Sequence, residues 1–214
     1  MVMMIRSHHQ ALASRLPGWT DHAPEGTLLW VDVDMQRVWV IDGWRVVAVM
    51  PCSTAAAGLG EERGSLRTPR GWHVISETIG NGLPPEAILR SREWTGEAWG
   101  GDSTAASTDA VASGSASELA NDLAFDRTTD SAGSSDADTD EDLILGRVLW
   151  LDGAEPGRNR GGDRDSHDRF IYLHGTNHPE RLGHPASHGC VRVSCADIVR
   201  LSDLVAAGHP VWIG

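Results

Sequence analysis

The chain has 214 residues, 40% of them hydrophobic, which is enough for one well-buried domain and short for two. It contains no lysine, so all 18 basic side chains are arginines, and this excludes a lysine Schiff base and the lysine of a phosphate-binding P-loop. A net charge of −12 argues against a basic binding face, so we expect no nucleic-acid partner.

Short strands dominate the predicted elements, after an N-terminal extension over residues 1–27. The dipeptide Asp42-Gly43 is typical of a tight hairpin between two of the strands. An amphipathic helix is predicted over 196–207, and the nine tryptophans are interpreted mainly as core packing. The fold class is therefore mainly β with a C-terminal helix. Strands are predicted at 28–33, 37–41, 45–50, 72–75, 147–151, 169–173, 191–193 and 211–213.

Acidic residues are concentrated between residues 100 and 142. This segment has eleven Asp and Glu residues and a single arginine, Arg127, and it is rich in Ser, Thr, Ala and Gly. Because it has few apolar side chains to bury, we interpret it as a disordered insertion that interrupts a domain spanning 28–214. Weak helical spacing over 118–125 leaves a lid or a partner-binding segment open as an alternative.

The residues suited to catalysis cluster near the C-terminal end. His174, followed by Gly175 and Thr176, ends the strand predicted over 169–173. The thiolate is the nucleophile in cysteine catalysis and forms with the help of a base, so Cys190 in a glycine-containing turn together with His174 predicts an acyl-transfer site. The segment around the cysteine reads Ser187-His188-Gly189-Cys190-Val191-Arg192.

A zinc site is the alternative use of the same region, because imidazole and thiolate are zinc ligands. The spacings lack the HExxH pattern, and no carboxylate base lies between paired histidines, so no metal or other cofactor is predicted. His178 and His184 are interpreted as solvated loop residues. The potential ligands are His174, His178, His184, His188 and Cys190.

The two motifs resemble the signature of the L,D-transpeptidase (YkuD-type) catalytic domain, a bacterial peptidoglycan family. In that signature a His-Gly is followed by a loop, then by Ser/Thr-X-Gly-Cys, an apolar residue, and Arg or Asn. The turn over 68–71, Thr-Pro-Arg-Gly, resembles a second family feature that precedes a strand. The resemblance implies a β-sandwich with a Cys-containing catalytic loop over roughly residues 28–214.

The resemblance also implies a reaction and a role for each residue. Cys190 attacks the carbonyl at the L-centre of diaminopimelate in a peptidoglycan stem tetrapeptide, releasing D-alanine and leaving a thioester. His174 is the base, oriented by a backbone carbonyl just after it. Arg192 holds the substrate's carboxylate or stabilises the loop. The backbone N–H groups of His188, Gly189 and Cys190 form the oxyanion hole, and Ser187 and His188 shape the loop around it. Gly175 and Thr176 are implied in substrate binding.

The first residues, the apolar runs and the cysteines give an expectation for the cellular location. The first residues lack the apolar core of a secretory signal, no run approaches a transmembrane span, and three cysteines suggest no disulfide framework. We therefore expect a cytoplasmic enzyme, or one in the periplasm or cell envelope if the N-terminus is misassigned. In the cytoplasm water is the available acceptor, which favours an L,D-carboxypeptidase of cell-wall recycling.

Other functions stay open. An L,D-transpeptidase that forms peptidoglycan cross-links or exchanges D-amino acids would use the same acyl-enzyme. A zinc-dependent peptidase, or a non-catalytic sensor of muropeptides, would use the same pocket in other ways.

Overall fold

The structure is a computed structural model that describes residues 15–18, 26–43, 45–100 and 141–214. Most of the predicted N-terminal extension and nearly all of the predicted insertion lie outside these ranges. The described residues form ten strands and one α-helix, α1 (Cys195–Leu204). The strands are β1 (Thr27–Asp32), β2 (Arg37–Asp42), β3 (Arg45–Pro51), β4 (Gly71–Ile79), β5 (Ala87–Arg90), β6 (Glu93–Ala98), β7 (Ile144–Gly153), β8 (Tyr172–Gly175), β9 (Val191–Val193) and β10 (Pro210–Ile213).

The strands hydrogen-bond into one continuous sheet in the order β3-β2-β1-β10-β4-β7-β5-β6. Strand β8 also pairs with the long strand β7, and β9 pairs with β8. The β1–β10 and β8–β9 pairs are parallel, and the other pairs are antiparallel. This architecture confirms the predicted mainly β fold with its C-terminal helix.

The sheet encloses one main hydrophobic core. Strands β1 to β4, strands β7 to β10 and helix α1 all contribute buried side chains to this core. Helix α1 begins after Ser194, whose hydroxyl accepts the Asp197 N–H at 3.0 Å, as an N-cap does. Its apolar face buries Ile198 and Leu201, and the helix ends where Val205 becomes extended. None of the described helices is long and apolar enough to cross a membrane.

The outer face of β1, β2, β4 and β10 is also buried, by four tryptophans and Leu16. Trp30 and Trp39 stack with ring centroids 5.8 Å apart, and the Trp72 indole donates to the Pro17 carbonyl oxygen at 2.6 Å. Packing of this kind confirms the core interpretation for these tryptophans. The four are Trp30, Trp39, Trp72 and Trp212.

Some element boundaries differ from the prediction. Asp42 pairs with Arg45, so the hairpin turn begins at Gly43, one residue later than predicted. Strand β8 starts at Tyr172 and not at residue 169, because the Asp165 carboxylate accepts backbone N–H groups of neighbouring residues and holds a turn there. His174 therefore lies within a strand. The β5–β6 hairpin is absent from the prediction because β6 is exposed throughout and shows no alternation.

Candidate active site

Strands β7, β8 and β9 present the predicted site residues on one face. His174 on β8 pairs with Arg192 on β9 and with Val148 on β7. Side chains alternate along a strand, and paired residues point to the same side. Cys190, two residues before Arg192, accordingly packs with the cluster that contains Val148, whereas Val191 enters the main core. The fold thus brings the predicted nucleophile and base to one surface.

The loop that carries Cys190 is fixed by side-chain hydroxyls. Ser187 Oγ donates to the Cys190 carbonyl oxygen at 2.5 Å and accepts the Gly189 N–H at 3.2 Å. Thr68 Oγ1 donates to the Gly189 carbonyl oxygen at 2.9 Å and accepts the Ala55 N–H. Gly189 has a φ of 134°, which favours glycine. The Thr-Pro-Arg-Gly turn therefore supports the nucleophile's loop through Thr68.

Ser53, just after β3, holds β9 from the other side. Its backbone N–H and carbonyl both bond to Arg192, each at 2.9 Å, and its hydroxyl donates to the His184 carbonyl oxygen at 2.6 Å. Ser53 and Thr68 were not predicted from the sequence as supports of the Cys190 loop. A serine or threonine after a strand is too common to indicate this role, although the resemblance of the turn over 68–71 pointed to the neighbourhood.

The Cys190 side chain is partly exposed, and its thiol faces main-chain groups. The S–H donates to the Phe170 carbonyl oxygen at 3.4 Å, and the Tyr172 backbone N–H bonds to the sulfur. Burial raises the pKa of the thiol to about 11, outweighing this N–H and the guanidinium groups of Arg192 and Arg169, which lower it. The resting cysteine is therefore a neutral thiol near pH 7 and requires a base.

His174 is buried and has the form that a base requires. Its Nδ1 lies 2.8 Å from the Gly175 carbonyl oxygen, which only accepts hydrogen bonds, so Nδ1 carries the proton and Nε2 keeps its lone pair. Burial lowers the pKa of the imidazole, and Asp142 opposes this shift. The carbonyl lies within the Gly175-Thr176 pair that the resemblance implied. Within the described part of the chain, the imidazole and the Cys190 thiol are not hydrogen-bonded to each other.

Gly175 and Thr176 follow His174 and are held by close contacts within the fold. A Cβ on Gly175 would approach the Leu145 carbonyl oxygen to 2.8 Å and Ile198 to 3.1 Å, so glycine is needed for packing against α1. Thr176 is buried, and its hydroxyl accepts the His178 N–H. Gly175 also orients His174 through its carbonyl oxygen, and the expectation that both residues bind substrate stays a prediction.

Arg192 is completely buried and forms a close ion pair with Asp142. The Asp142 carboxylate also lies 3.6 Å from Nδ1 of the exposed His188 side chain. Because the guanidinium is buried against Asp142, the structure agrees with the loop-stabilising alternative, and the expected contact with a substrate carboxylate stays a prediction. Asp142 was not predicted as a site residue because it falls within the predicted insertion 100–142. Glu141 and Asp142 are both among the described residues, and Glu141 pairs with Arg90.

Backbone N–H groups around Cys190 are the candidate oxyanion hole. The Gly189 N–H is occupied by Ser187 Oγ, whereas the N–H groups of His188 and Cys190 have no acceptor among the described residues. Two of the three predicted donors are thus available to a developing negative charge.

The described residues do not assemble the zinc site of the alternative hypothesis. Among them, no three His, Cys, Asp or Glu side chains are grouped closely enough to hold a metal ion. His178 contacts Glu180 at 3.2 Å, and the His184 side chain is exposed. The loop histidines therefore diverge from Cys190.

The site combines a neutral thiol, an oriented imidazole with a free Nε2, and unoccupied backbone donors. These features define the class of cysteine acyl-transfer sites. The family model of the L,D-transpeptidase catalytic domain, YkuD, matches residues 26–213. The chain therefore belongs to the L,D-transpeptidase family, whose members are cysteine acyltransferases that act on peptidoglycan peptides.

Solved structures with a similar fold are also L,D-transpeptidases. The enzyme from Mycobacterium smegmatis is 15% identical with a TM-score of 0.45, and the match covers 88% of this chain and 58% of that chain. L,D-transpeptidase 3 from Mycobacterium tuberculosis, in complex with a faropenem-derived adduct, is 15% identical with a TM-score of 0.46, and the coverages are 88% and 60%. The Xylanimonas cellulosilytica enzyme is 18% identical with a TM-score of 0.43, and the coverages are 89% and 61%.

The chain thus spans less than two thirds of the length of these neighbours. A comparison with curated proteins found no match.

Proposed function

We propose that the chain is a cysteine-dependent L,D-carboxypeptidase that cleaves the diaminopimelate–D-alanine bond of peptidoglycan stem tetrapeptides. The observation that carries the proposal is the His174 imidazole, neutral and with Nδ1 committed to the Gly175 carbonyl, on the same sheet face as Cys190. This arrangement leaves Nε2 free to accept the thiol proton. Family membership supplies the substrate class.

In the acylation step, His174 Nε2 takes the proton from the Cys190 thiol as the sulfur attacks the scissile carbonyl carbon. The carbonyl oxygen becomes an oxyanion, which accepts hydrogen bonds from the N–H groups of His188 and Cys190. Such a donor contributes about 3 kcal/mol when it is well aimed. The C–N bond then breaks, the imidazolium returns its proton to the leaving amine of D-alanine, and a thioester remains on Cys190.

In the deacylation step, His174 removes a proton from a water molecule that attacks the thioester carbonyl. The C–S bond breaks, the cysteine sulfur regains a proton from the imidazolium, and the tripeptide leaves with a new carboxylate. An amine in place of water would give the transpeptidation or exchange product from the same thioester. The two reactions differ only in this second nucleophile.

We place the enzyme in the cytoplasm, where soluble tetrapeptides and water are the available reactants. All three cysteines have free thiols, and two of them, Cys52 and Cys195, are buried. This cysteine usage supports a reducing compartment. Fractionation of cells producing the full natural protein, with detection in the cytoplasmic or the envelope fraction, tests the location.

The activity is tested with a purified disaccharide tetrapeptide, with and without an added D-amino acid as acceptor. We expect tripeptide and free D-alanine as the main products, and an acyl-enzyme on Cys190 detectable by intact mass. Cys190→Ala abolishes both, whereas Cys195→Ala, which removes a thiol from the start of α1, retains them. Main products in which an amine has replaced D-alanine would favour the transpeptidase alternative. Activity in Cys190→Ala would contradict the mechanism.

A further inference from the structure

An aromatic cluster surrounds the segment that hydrogen-bonds to the Cys190 thiol. The Trp150 ring stacks on His167 with centroids 4.0 Å apart, and it contacts Phe170 at 5.9 Å and Tyr172 at 5.5 Å. Cys190 and Trp150 both pack against the buried group that contains Tyr172, and the Cys190 sulfur bonds to the Phe170 carbonyl oxygen. Half of the Phe170 surface is exposed. Any substrate bound at the sulfur therefore meets this cluster.

The Arg92 guanidinium lies over the same rings. Its central carbon is 4.7 Å from the Trp150 ring centroid and 5.3 Å from that of Phe170, and NH1 is 3.4 Å from the Tyr172 hydroxyl oxygen. Arg92 is partly exposed, and among the described residues no carboxylate pairs with it. Arg192, in contrast, is buried and neutralised by Asp142. Arg92 thus lies over the ring of Phe170, the residue whose carbonyl oxygen bonds to the thiol, as a cation with capacity for an anionic ligand.

The backbone at this cluster adopts conformations that its residues disfavour. Ser91 and Arg92 form the two-residue turn between β5 and β6, and both have positive φ, 50° and 70°. Turns of this kind favour Asn-Gly, so an arginine at the second position is not required by the turn. Phe170 also has a positive φ, of 57°. Strained backbone of this sort is concentrated at ligand sites, where the surrounding contacts maintain it.

We propose that Arg92 is the carboxylate receptor of the site and binds the terminal carboxylate of the leaving amino acid. This inference rests on the proposed function and refines it. The terminal carboxylate lies about one residue, roughly 3.5 Å, beyond the scissile carbonyl. An enzyme that releases a single C-terminal residue gains specificity from a cation that binds the terminal carboxylate, and the aromatic rings hold the Arg92 guanidinium in place.

The test compares a tetrapeptide acid with the same peptide carrying a C-terminal amide. Equilibrium binding is measured in the Cys190→Ala background, from tryptophan fluorescence, and kcat and KM are measured in the active protein. We expect the acid to bind and react about 10- to 100-fold better than the amide. Arg92→Met removes this preference by weakening the acid alone, and Arg92→Lys retains part of it. Arg45→Met, which removes an exposed charge from β3, leaves it unchanged.

Two results would overturn the inference. One is equal binding of acid and amide by the Cys190→Ala protein. The other is an Arg92→Met variant that weakens both peptides equally, which would indicate that the arginine only packs on Trp150. Failure of the proposed function gives a different result, in which the acid releases no D-alanine and the amide releases no D-alanine amide. The binding comparison still decides the role of Arg92 in that case.

Discussion

Cys190 and His174 are both neutral at rest, and the reason lies in their immediate surroundings. The thiol donates to a carbonyl oxygen in a largely apolar setting, and the imidazole is buried with its Nδ1–H on another carbonyl. Both environments disfavour charge, so a thiolate–imidazolium pair does not form before substrate arrives. The Cys190 thiol therefore transfers its proton to His174 while the sulfur attacks the carbonyl carbon, as in general base catalysis.

This protonation state predicts the pH dependence of thiol alkylation. With the pKa of Cys190 raised to about 11, the thiolate fraction, and hence the rate of iodoacetamide labelling, rises about tenfold per pH unit between about pH 7 and pH 9. The rate is followed by intact mass. Burial also raises the pKa of Cys195, to about 12, and Cys52 is buried, so Cys190→Ala should show no labelling in the folded state. A rate that is already constant above pH 7 would indicate a preformed ion pair instead.

At the scale of elements, sequence patterns predicted the strands and the helix that bury apolar residues. Apolar runs identify β1 to β3, and the period of Ile198 and Leu201 identifies α1. The β5–β6 hairpin was not predicted because its outer strand, β6, buries no residue. The start of β8 was misplaced because the Asp165 side chain, and not hydropathy, determines where the strand begins.

The same reasoning explains which site residues were found. Cys190 and His174 are identified by local motifs, since a thiol beside glycine and a His-Gly pair are visible along the chain. Asp142 was overlooked because the composition of an acidic segment does not show which of its carboxylates pairs with a buried arginine. Arg92 was overlooked because its position over Trp150 depends on the β5–β6 turn.

The Arg192–Asp142 pair links β9 to the segment that enters β7, and its loss should be costly. Asp142→Ala leaves a buried guanidinium without its carboxylate, so we expect the free energy of unfolding to fall by about 3–5 kcal/mol. Urea unfolding followed by tryptophan fluorescence measures the change. Adding Arg192→Met to the same chain should recover part of the loss, because no unpaired charge remains.

Glu141→Ala is the matched control for this prediction. It removes the neighbouring carboxylate, whose pair with Arg90 is exposed on both sides, and should change the free energy of unfolding by less than about 1 kcal/mol. Equal effects of the two substitutions would contradict a special role for Asp142.

At the scale of the whole molecule, the site depends on the closure of the sheet. The nine residues from 184 to 192 are contacted or faced by four residues that are distant from one another along the chain. These four are Ser53, Thr68, Asp142 and His174. These non-local contacts form only in the complete fold. Loss of global stability therefore disassembles the catalytic loop, so conditions that unfold the molecule also remove activity.

Acid is one such condition, because two buried histidines are held neutral in the folded state. His73 on β4 is buried between the Gly71 carbonyl and the Ser166 hydroxyl, and burial lowers its pKa to about 4; burial lowers the pKa of His174 as well. The unfolded chain binds these protons below about pH 6.5, whereas the folded chain does not. Stability is therefore full above that pH and decreases as the pH falls.

For His73 alone, the free energy of unfolding should decrease by about 3 kcal/mol between pH 6.5 and pH 4. Burial raises the pKa of the Asp32 and Asp197 carboxyls, so their protonation in the folded state opposes part of this decrease, and the comparison with a His73 variant isolates the histidine. Urea midpoints measured across this interval give the slope. His73→Gln removes one titrating group and should reduce the slope by up to about 1.4 kcal/mol per pH unit, whatever its effect at pH 7. An unchanged slope would show that the buried His73 takes up its proton without a stability cost.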